Sequence, residues 1–196
     1  MNSLLTFASY AYANHDSAHN LEHAKNVLRN ALTIIEKEGI NCDAVEEREL
    51  PYVMIGHDFR DHKLVERGLC CTAEEIEDFY RKELGEGSAA KILHIHDNCS
   101  WSKRKSSIPL ESGDWMRKVL QDADWLEAIG NVGLQRCINY NSSVRGVTDA
   151  MLIQDVCLHI REKLLLIPTE LNYESSREIA KDRIAPLLDF LRENEK

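Results

Sequence analysis

The chain has 196 residues, enough for one medium domain with a sizeable core. Its composition is that of a globular protein: 43% hydrophobic, 29% charged, with 9 Gly and 4 Pro. A formal charge of −9 argues against a broad electrostatic grip on extended nucleic acid, while leaving room for a local basic pocket around a small phosphate.

In chain order, "MNSLLTFASYAYANHD" has no basic leader region and is too short an apolar run to span a membrane. Cys42, Cys70, Cys71, Cys99, Cys137 and Cys157 form no C-x-x-C pair, so reduced thiols and a cytoplasmic location are expected. In "NLEHAKNVLRNALTIIEKEG", Ala24, Val27, Leu28, Ala31 and Ile35 recur at helical steps, and Gly39 supplies the stop. "CDAVEERELPYVMIGHDF" predicts a further helix, with Pro51 starting a new one or kinking it. Thr72 to Glu75 reads as a capping box opening a short helix that ends at Gly85 and Gly87.

"SAAKILHIHDNC" follows as another helix, and "SWSKRKSSIPLESG" as a polar, basic loop. "DWMRKVLQDADWLEAIG" resumes helix and closes at Gly130. "TDAMLIQDVCLHIREKLLLIP" predicts a long amphipathic helix that stops at Pro168. In "SSREIAKDRIAPLLDFLRE" a Ser175–Glu178 capping box opens the last segment. Ala180, Ile184, Leu187, Leu188 and Leu191 form its stripe, and Pro186 bends it. Period-2 alternation and hairpin dipeptides are nearly absent. The expectation is one all-α domain over 1–196, with a core over roughly 15–130 completed by C-terminal helices at 147–193.

The stretch "VMIGHDFRDHK" turns from apolar to charged at His57, Asp58 and Asp61, and a buried His–Asp step is costly unless something pairs with it. His23 lies at the edge of its helix's buried stripe, four residues before Val27. Alone, His23 reads as a hydrogen-bonded core histidine, "HD" as a chance dipeptide, and Asp122 and Asp124 as a solvated edge. Together, His23, His57, Asp58 and Asp124 form a nitrogen and oxygen donor set suited to Mn²⁺, Fe²⁺, Ni²⁺ or Zn²⁺ rather than Ca²⁺. An ion of higher coordination number keeps positions open for water and a phosphate oxygen.

The ordered set His23…His57-Asp58…Asp124 resembles the H…HD…D signature of the HD-domain metal-dependent phosphohydrolases. The likeness is closest to their small stand-alone nucleotide pyrophosphohydrolases. "HDSAHNLEHAKNVLRNAL" is similar to that branch's opening helix, "HDFRDHK" to its HD-x-x-D-x-K pattern, and "LQDADWLEAIGNVGLQR" to its D-A-D block. "HIREKLL" and "TELNYESSREIAKDR" resemble its C-terminal helices. Gly56 departs from the leucine usual before HD, and Trp125 from a basic residue usual after D-A-D.

The resemblance implies an all-α HD fold and one divalent transition metal, Mn²⁺ favoured, held by His23, His57, Asp58 and Asp124. It implies a small phosphorylated substrate: a (deoxy)nucleoside triphosphate hydrolysed to monophosphate and pyrophosphate. Asp61 would orient or deprotonate the attacking water and Lys63 would contact phosphate, with Lys103, Arg104 and Asp122 as further substrate contacts. The alternatives are a nucleotide monophosphatase, a cyclic-nucleotide phosphodiesterase, or a non-catalytic nucleotide- or metal-binding protein. His94 and His96, two apart on one helix, face away from each other, which disfavours a second metal. His15 is expected outside the first long helix and His19 near its first turn. A homodimer is possible if Trp101 or Trp115 is exposed.

Overall fold

The computed structural model describes residues 2–15, 19–60, 71–105, 114–143 and 149–194, with side chains described for all of these except 143, 149 and 150. The helices are α1 (Asn2–Ala11), α2 (Leu21–Glu38), α3 (Ala44–Ile55), α4 (Ala73–Leu84) and α5 (Glu86–Asp97). After a 3-10 turn at Trp101–Lys103 come α6 (Asp114–Glu127), α7 (Gly130–Ser143) and α8 (Asp149–Glu162). A second 3-10 turn, Leu164–Leu166, leads into α9 (Ile167–Glu170), α10 (Glu174–Arg183) and α11 (Ala185–Asn194). There is no strand among the described residues, and none of their helices is long and apolar enough to cross a membrane.

The central helix is α2, which lies between α6 and α3. Asn20 caps it, accepting from the His23 backbone N–H at 2.9 Å, and Gly39 closes it in the left-handed region at φ 63°. Between these ends Ala24, Val27, Ala31 and Ile34 are fully buried. Val27 and Ile34 each contribute about 1.5–3 kcal/mol of apolar burial, which fixes the face α2 turns inward. The expected box at Thr72–Glu75 is present and opens α4, and a second box, Asp43–Glu46, opens α3. Pro51 starts no new helix: α3 runs through it to Ile55.

Elsewhere the structure corrects the sequence reading. Gly130 does not close α6, which ends at Glu127; it begins α7, at φ 83°. The long helix expected up to Pro168 ends at Glu162, because Lys163 leaves the helical region (φ −130°, ψ −59°). Pro168 sits in the first turn of α9, where its missing N–H has no helical partner to lose. The Ser175–Glu178 box does not form, since α10 already begins at Glu174. Its start is capped from other helices. Asp122 Oδ1 and Oδ2 accept from the Asn172 and Tyr173 backbone N–H groups at 2.8–3.1 Å, and Glu38 Oε1 accepts from Ser175 N at 2.8 Å.

One polar cluster ties α6 to α2 and α10. Asn30 Nδ2 donates to Ala123 O at 3.1 Å and to Glu127 Oε1 at 3.0 Å. Arg183 donates to Leu126 O at 2.6 Å and to Asn30 Oδ1 at 3.1 Å. These bonds sit directly beside Asp124 in sequence and hold its helix against the one that carries His23.

Candidate metal centre

His23 occupies the first turn of α2, held there by the Asn20 cap, and is 5% exposed. His57 lies just beyond α3, in a turn closed by Gly56 N→Tyr52 O at 3.1 Å and Phe59 N→Gly56 O at 3.1 Å. Tyr12, following α1, donates its hydroxyl to Ile55 O at 2.6 Å and braces the same turn. The turn requires glycine. A Cβ at Gly56 would meet the Tyr80 hydroxyl at 1.9 Å and Tyr52 O at 2.9 Å, so Tyr80 fills the space that a side chain before His57 would take.

His57 Nδ1 lies 2.8 Å from Met54 O. A carbonyl only accepts, so Nδ1 carries a proton and Nε2 is the ring nitrogen that points inward. There it meets three other groups. Asp58 Oδ2 is 3.3 Å from His57 Nε2 and 3.8 Å from His23 Nε2. Asp124 Oδ1 is 3.2 Å from His23 Nε2 and 3.8 Å from His57 Nε2. His23, His57 and Asp124 each offer a donor atom within 4.8 Å of the others. The structure thus brings the four residues together, from the first turn of one helix, the turn after a second and the last turn of a third.

Within the protein this cluster is not self-sufficient. His57 Nε2 and Asp58 Oδ2 are buried and lack a hydrogen-bond partner, since their 3.3 Å approach lacks hydrogen-bond alignment. Unsatisfied buried polar atoms are costly, by about 1–3 kcal/mol each. Burial opposes the charged form of His57, but Asp58 and Asp124 outweigh it and raise its pKa to about 9. Burial likewise opposes both carboxylates, yet His57 holds Asp58 well below its ordinary value, and His23 with His57 lowers Asp124. Burial lowers the pKa of His23. Two carboxylates and two inward imidazole nitrogens form a negative field that calls for a cation, and the donor set fits a first-row divalent ion.

The other expected residues are distributed differently. Asp61 and Lys63 lie outside the described residues, as does Cys70. Asp122 is fully buried with its carboxylate engaged at the start of α10, so the structure does not bring it to the cluster. Lys103 is exposed and donates to Asp97 O. Arg104 stacks over Trp101 at 4.2 Å, donates to Trp101 O at 2.9 Å and faces Glu170 at 3.6 Å. No described contact joins Lys103 or Arg104 to the four. His94 is exposed and His96 is buried, donating Nε2–H to Val53 O at 2.9 Å, with its pKa lowered to about 3 by burial. Trp101 packs edge-on against Trp125 at 5.0 Å, and Trp115 donates to Glu46 Oε1 at 2.8 Å; both are partly buried. Cys42, Cys71 and Cys99 are free thiols.

Sequence reasoning missed Arg136, on α7. Its Nη1 lies 3.0 Å from His23 Nδ1 and 3.3 Å from Glu127 O. Beside it opens a cavity of about 220 Å³.

No family model matches this sequence. YpgQ of Bacillus subtilis (strain 168), an uncharacterized protein, is 28% identical over 195 residues, covering 97% of this chain and 90% of its own length. The crystal structure of YpgQ in complex with ADP superposes with a TM-score of 0.73 at 25% identity, covering 98% of this chain and 94% of that one. An HD-superfamily hydrolase from Bacillus thuringiensis superposes with a TM-score of 0.62 at 21% identity, over 98% of this chain and 93% of that one. The fold is the all-α HD fold. Within this HD fold, α2, the turn after α3, and α6 carry the four clustered side chains, while α7 adds Arg136 from behind His23.

Proposed function

We propose that the chain, read as one HD domain over its whole length, is a metal-dependent phosphohydrolase acting on a nucleotide. Its reaction would convert a (deoxy)nucleoside triphosphate to a monophosphate and pyrophosphate. The observation that carries this reading is the pair of buried, unpartnered donor atoms, His57 Nε2 and Asp58 Oδ2, facing His23 and Asp124. The ADP complex of YpgQ supports a nucleotide, and the likeness to an HD-superfamily hydrolase supports hydrolysis.

His23, His57, Asp58 and Asp124 would hold one divalent transition ion, with Mn²⁺ favoured. Such an ion would supply Lewis acidity, polarising the phosphoryl oxygen and acidifying water. The protein's part is positioning. His57 is fixed by Met54 O, so its ring cannot rotate out of the site, and Asp58 is carried rigidly on the same turn. Asp61 would orient or deprotonate the attacking water, and Lys63 would neutralise charge developing on phosphate. Water oxygen adds to the α-phosphorus, and the bond to the bridging oxygen breaks. Pyrophosphate leaves with that oxygen and its electron pair, while the protons of water pass to base and solvent. A cytoplasmic location and no role for extended nucleic acid belong to the same reading.

Incubating the Mn²⁺-loaded protein with a nucleotide panel, and quantifying phosphate against pyrophosphate, tests it. Equimolar pyrophosphate and monophosphate support it. Orthophosphate alone points to a monophosphatase, and no turnover with Mn²⁺, Fe²⁺, Ni²⁺ or Mg²⁺ points to a binding protein.

A further inference from the structure

An α-helix leaves its last four carbonyls without a helical partner. In α3, Gly56 N closes the ladder on Tyr52 O, so the four are Val53 O, Met54 O, Ile55 O and Gly56 O. Each is met by a different group. His96 Nε2 lies 2.9 Å from Val53 O and His57 Nδ1 2.8 Å from Met54 O. The Tyr12 hydroxyl lies 2.6 Å from Ile55 O, and Phe59 N 3.1 Å from Gly56 O. Of these donors, His96 comes from α5, a helix that carries none of the four clustered side chains.

Val53 O bears on where the helix stops. In a continued α3 it would accept the N–H of His57, four residues on, and His57 and Asp58 would project about 100° apart around the axis. Here the chain turns away after Ile55, and His57 Nε2 and Asp58 Oδ2 come within 3.3 Å of each other. His96 fills the acceptor that the continued helix would have used. Val53 is fully buried, so bulk water cannot stand in for the donor.

The approach of α5 is itself fixed. About one turn earlier along both helices, Lys91 Nζ meets Glu49 Oε2 at 2.7 Å, and this ion pair sets the register that brings His96 opposite Val53. Tyr80, which fills the space beside Gly56, has its ring 6.0 Å from that of His96. Burial keeps the imidazole neutral, so it supplies a donor without adding positive charge near a cation site.

We propose that His96 is a positioning residue of the metal centre: by holding Val53 O it ends α3 and sets the turn from which His57 and Asp58 reach the cation. This rests on the metal-centre reading and deepens it. It gives α5 a part in cation affinity although His96 touches neither cation nor substrate.

The test is calorimetric titration of Mn²⁺ into the chelator-treated full chain. His96→Leu removes the donor at similar volume and should weaken Mn²⁺ binding about tenfold, while His96→Gln, whose amide can reach Val53 O, should stay within about threefold of the native protein. Ile92→Ala supplies the control. Ile92 is fully buried on the same helix, so its loss destabilises the core without removing the Val53 bond, and the folded variant should bind Mn²⁺ as the native protein does. Circular dichroism establishes folding. If His96→Leu does not fold, His96→Asn, whose shorter amide falls short of Val53 O, takes its place with the same expectation. Native affinity in the donor-less variant, or an equal loss in Ile92→Ala, overturns the role of His96 and leaves the hydrolase reading intact. Mn²⁺ affinities that follow the expected order, with no nucleotide turned over, overturn the hydrolase reading and leave the role of His96 standing.

Discussion

Arg136 donates to His23 Nδ1 at 3.0 Å, on the ring edge opposite Asp124. A guanidinium has no acceptor, so His23 Nδ1 must accept and the ring proton must sit on Nε2, where Asp124 Oδ1 lies 3.2 Å away. A cation bound through Nε2 displaces that proton to Nδ1, which Arg136 cannot accept. Cation loading and the Arg136–His23 bond therefore exclude each other, and Arg136 retains its bond to Glu127 O.

The first expectation is that a diamagnetic ion such as Zn²⁺ moves the His23 proton from Nε2 to Nδ1, read by ¹⁵N shifts of the ring. Arg136→Gln offers a carbonyl to the Nδ1–H and should tighten cation binding about tenfold, the scale of outer partners of ligating histidines. Weaker cation binding in this variant would contradict the exclusion.

Asp58→Ala should lose the cation altogether, since a donor held on the same turn as His57 disappears. In the intact protein, saturating Mn²⁺ at a hundredfold above its Kd should add about 2.7 kcal/mol. For a chain of this length that raises Tm by roughly 5–10 °C. The variant should show no Mn²⁺-dependent rise by thermal denaturation, and elemental analysis should find no retained ion. A full Mn²⁺ shift in Asp58→Ala would remove Asp58 from the ligand set.

Gly56→Ala should destabilise by about 1–3 kcal/mol, because its Cβ has no room beside Tyr80. The buried Tyr80 hydroxyl has no partner, so Tyr80→Phe alone should be near neutral or stabilising. Combining the two should recover part of the loss, with the remainder due to Tyr52 O at 2.9 Å. Chemical denaturation of the four proteins of this cycle measures the coupling; strict additivity would mean that Tyr80 does not define the turn.

Stability of the cation-free protein should peak near pH 6.5. Below that pH the unfolded chain protonates His96 while the native one does not, down to about pH 3, so stability falls with acid by up to an order of 5 kcal/mol. His23, also lowered, adds to this limb. His57 is raised to about 9, so its contribution is complete below 6.5 and is lost as pH climbs to 9. Bound cation requires neutral His57 and should abolish the alkaline limb, which denaturant melts at pH 5, 6.5 and 9 with and without Mn²⁺ would register.

The helical class and the buried face of α2 were legible because Ala24, Val27 and Ala31 keep helical spacing and because Gly39 punctuates the end. Other boundaries were not. No glycine or proline marks the break at Lys163, and α10 is capped by Asp122 and Glu38, more than fifty residues away in sequence. The same long-range capping separates Asp122 from Asp124: two residues apart on α6, they face opposite ways, and only the packing of α10 decides which is consumed. Arg136 carried no local signal, since its partner His23 is 113 positions distant.

The Asn30–Glu127–Arg183 knot fixes the separation of α2 and α6, the helices bearing His23 and Asp124. A gap clamped this way should resist opening for an ion of larger radius. Discrimination among metals then comes from stiffness as well as from donor chemistry, and residues near the C-terminus, though they touch no ligand, help set it.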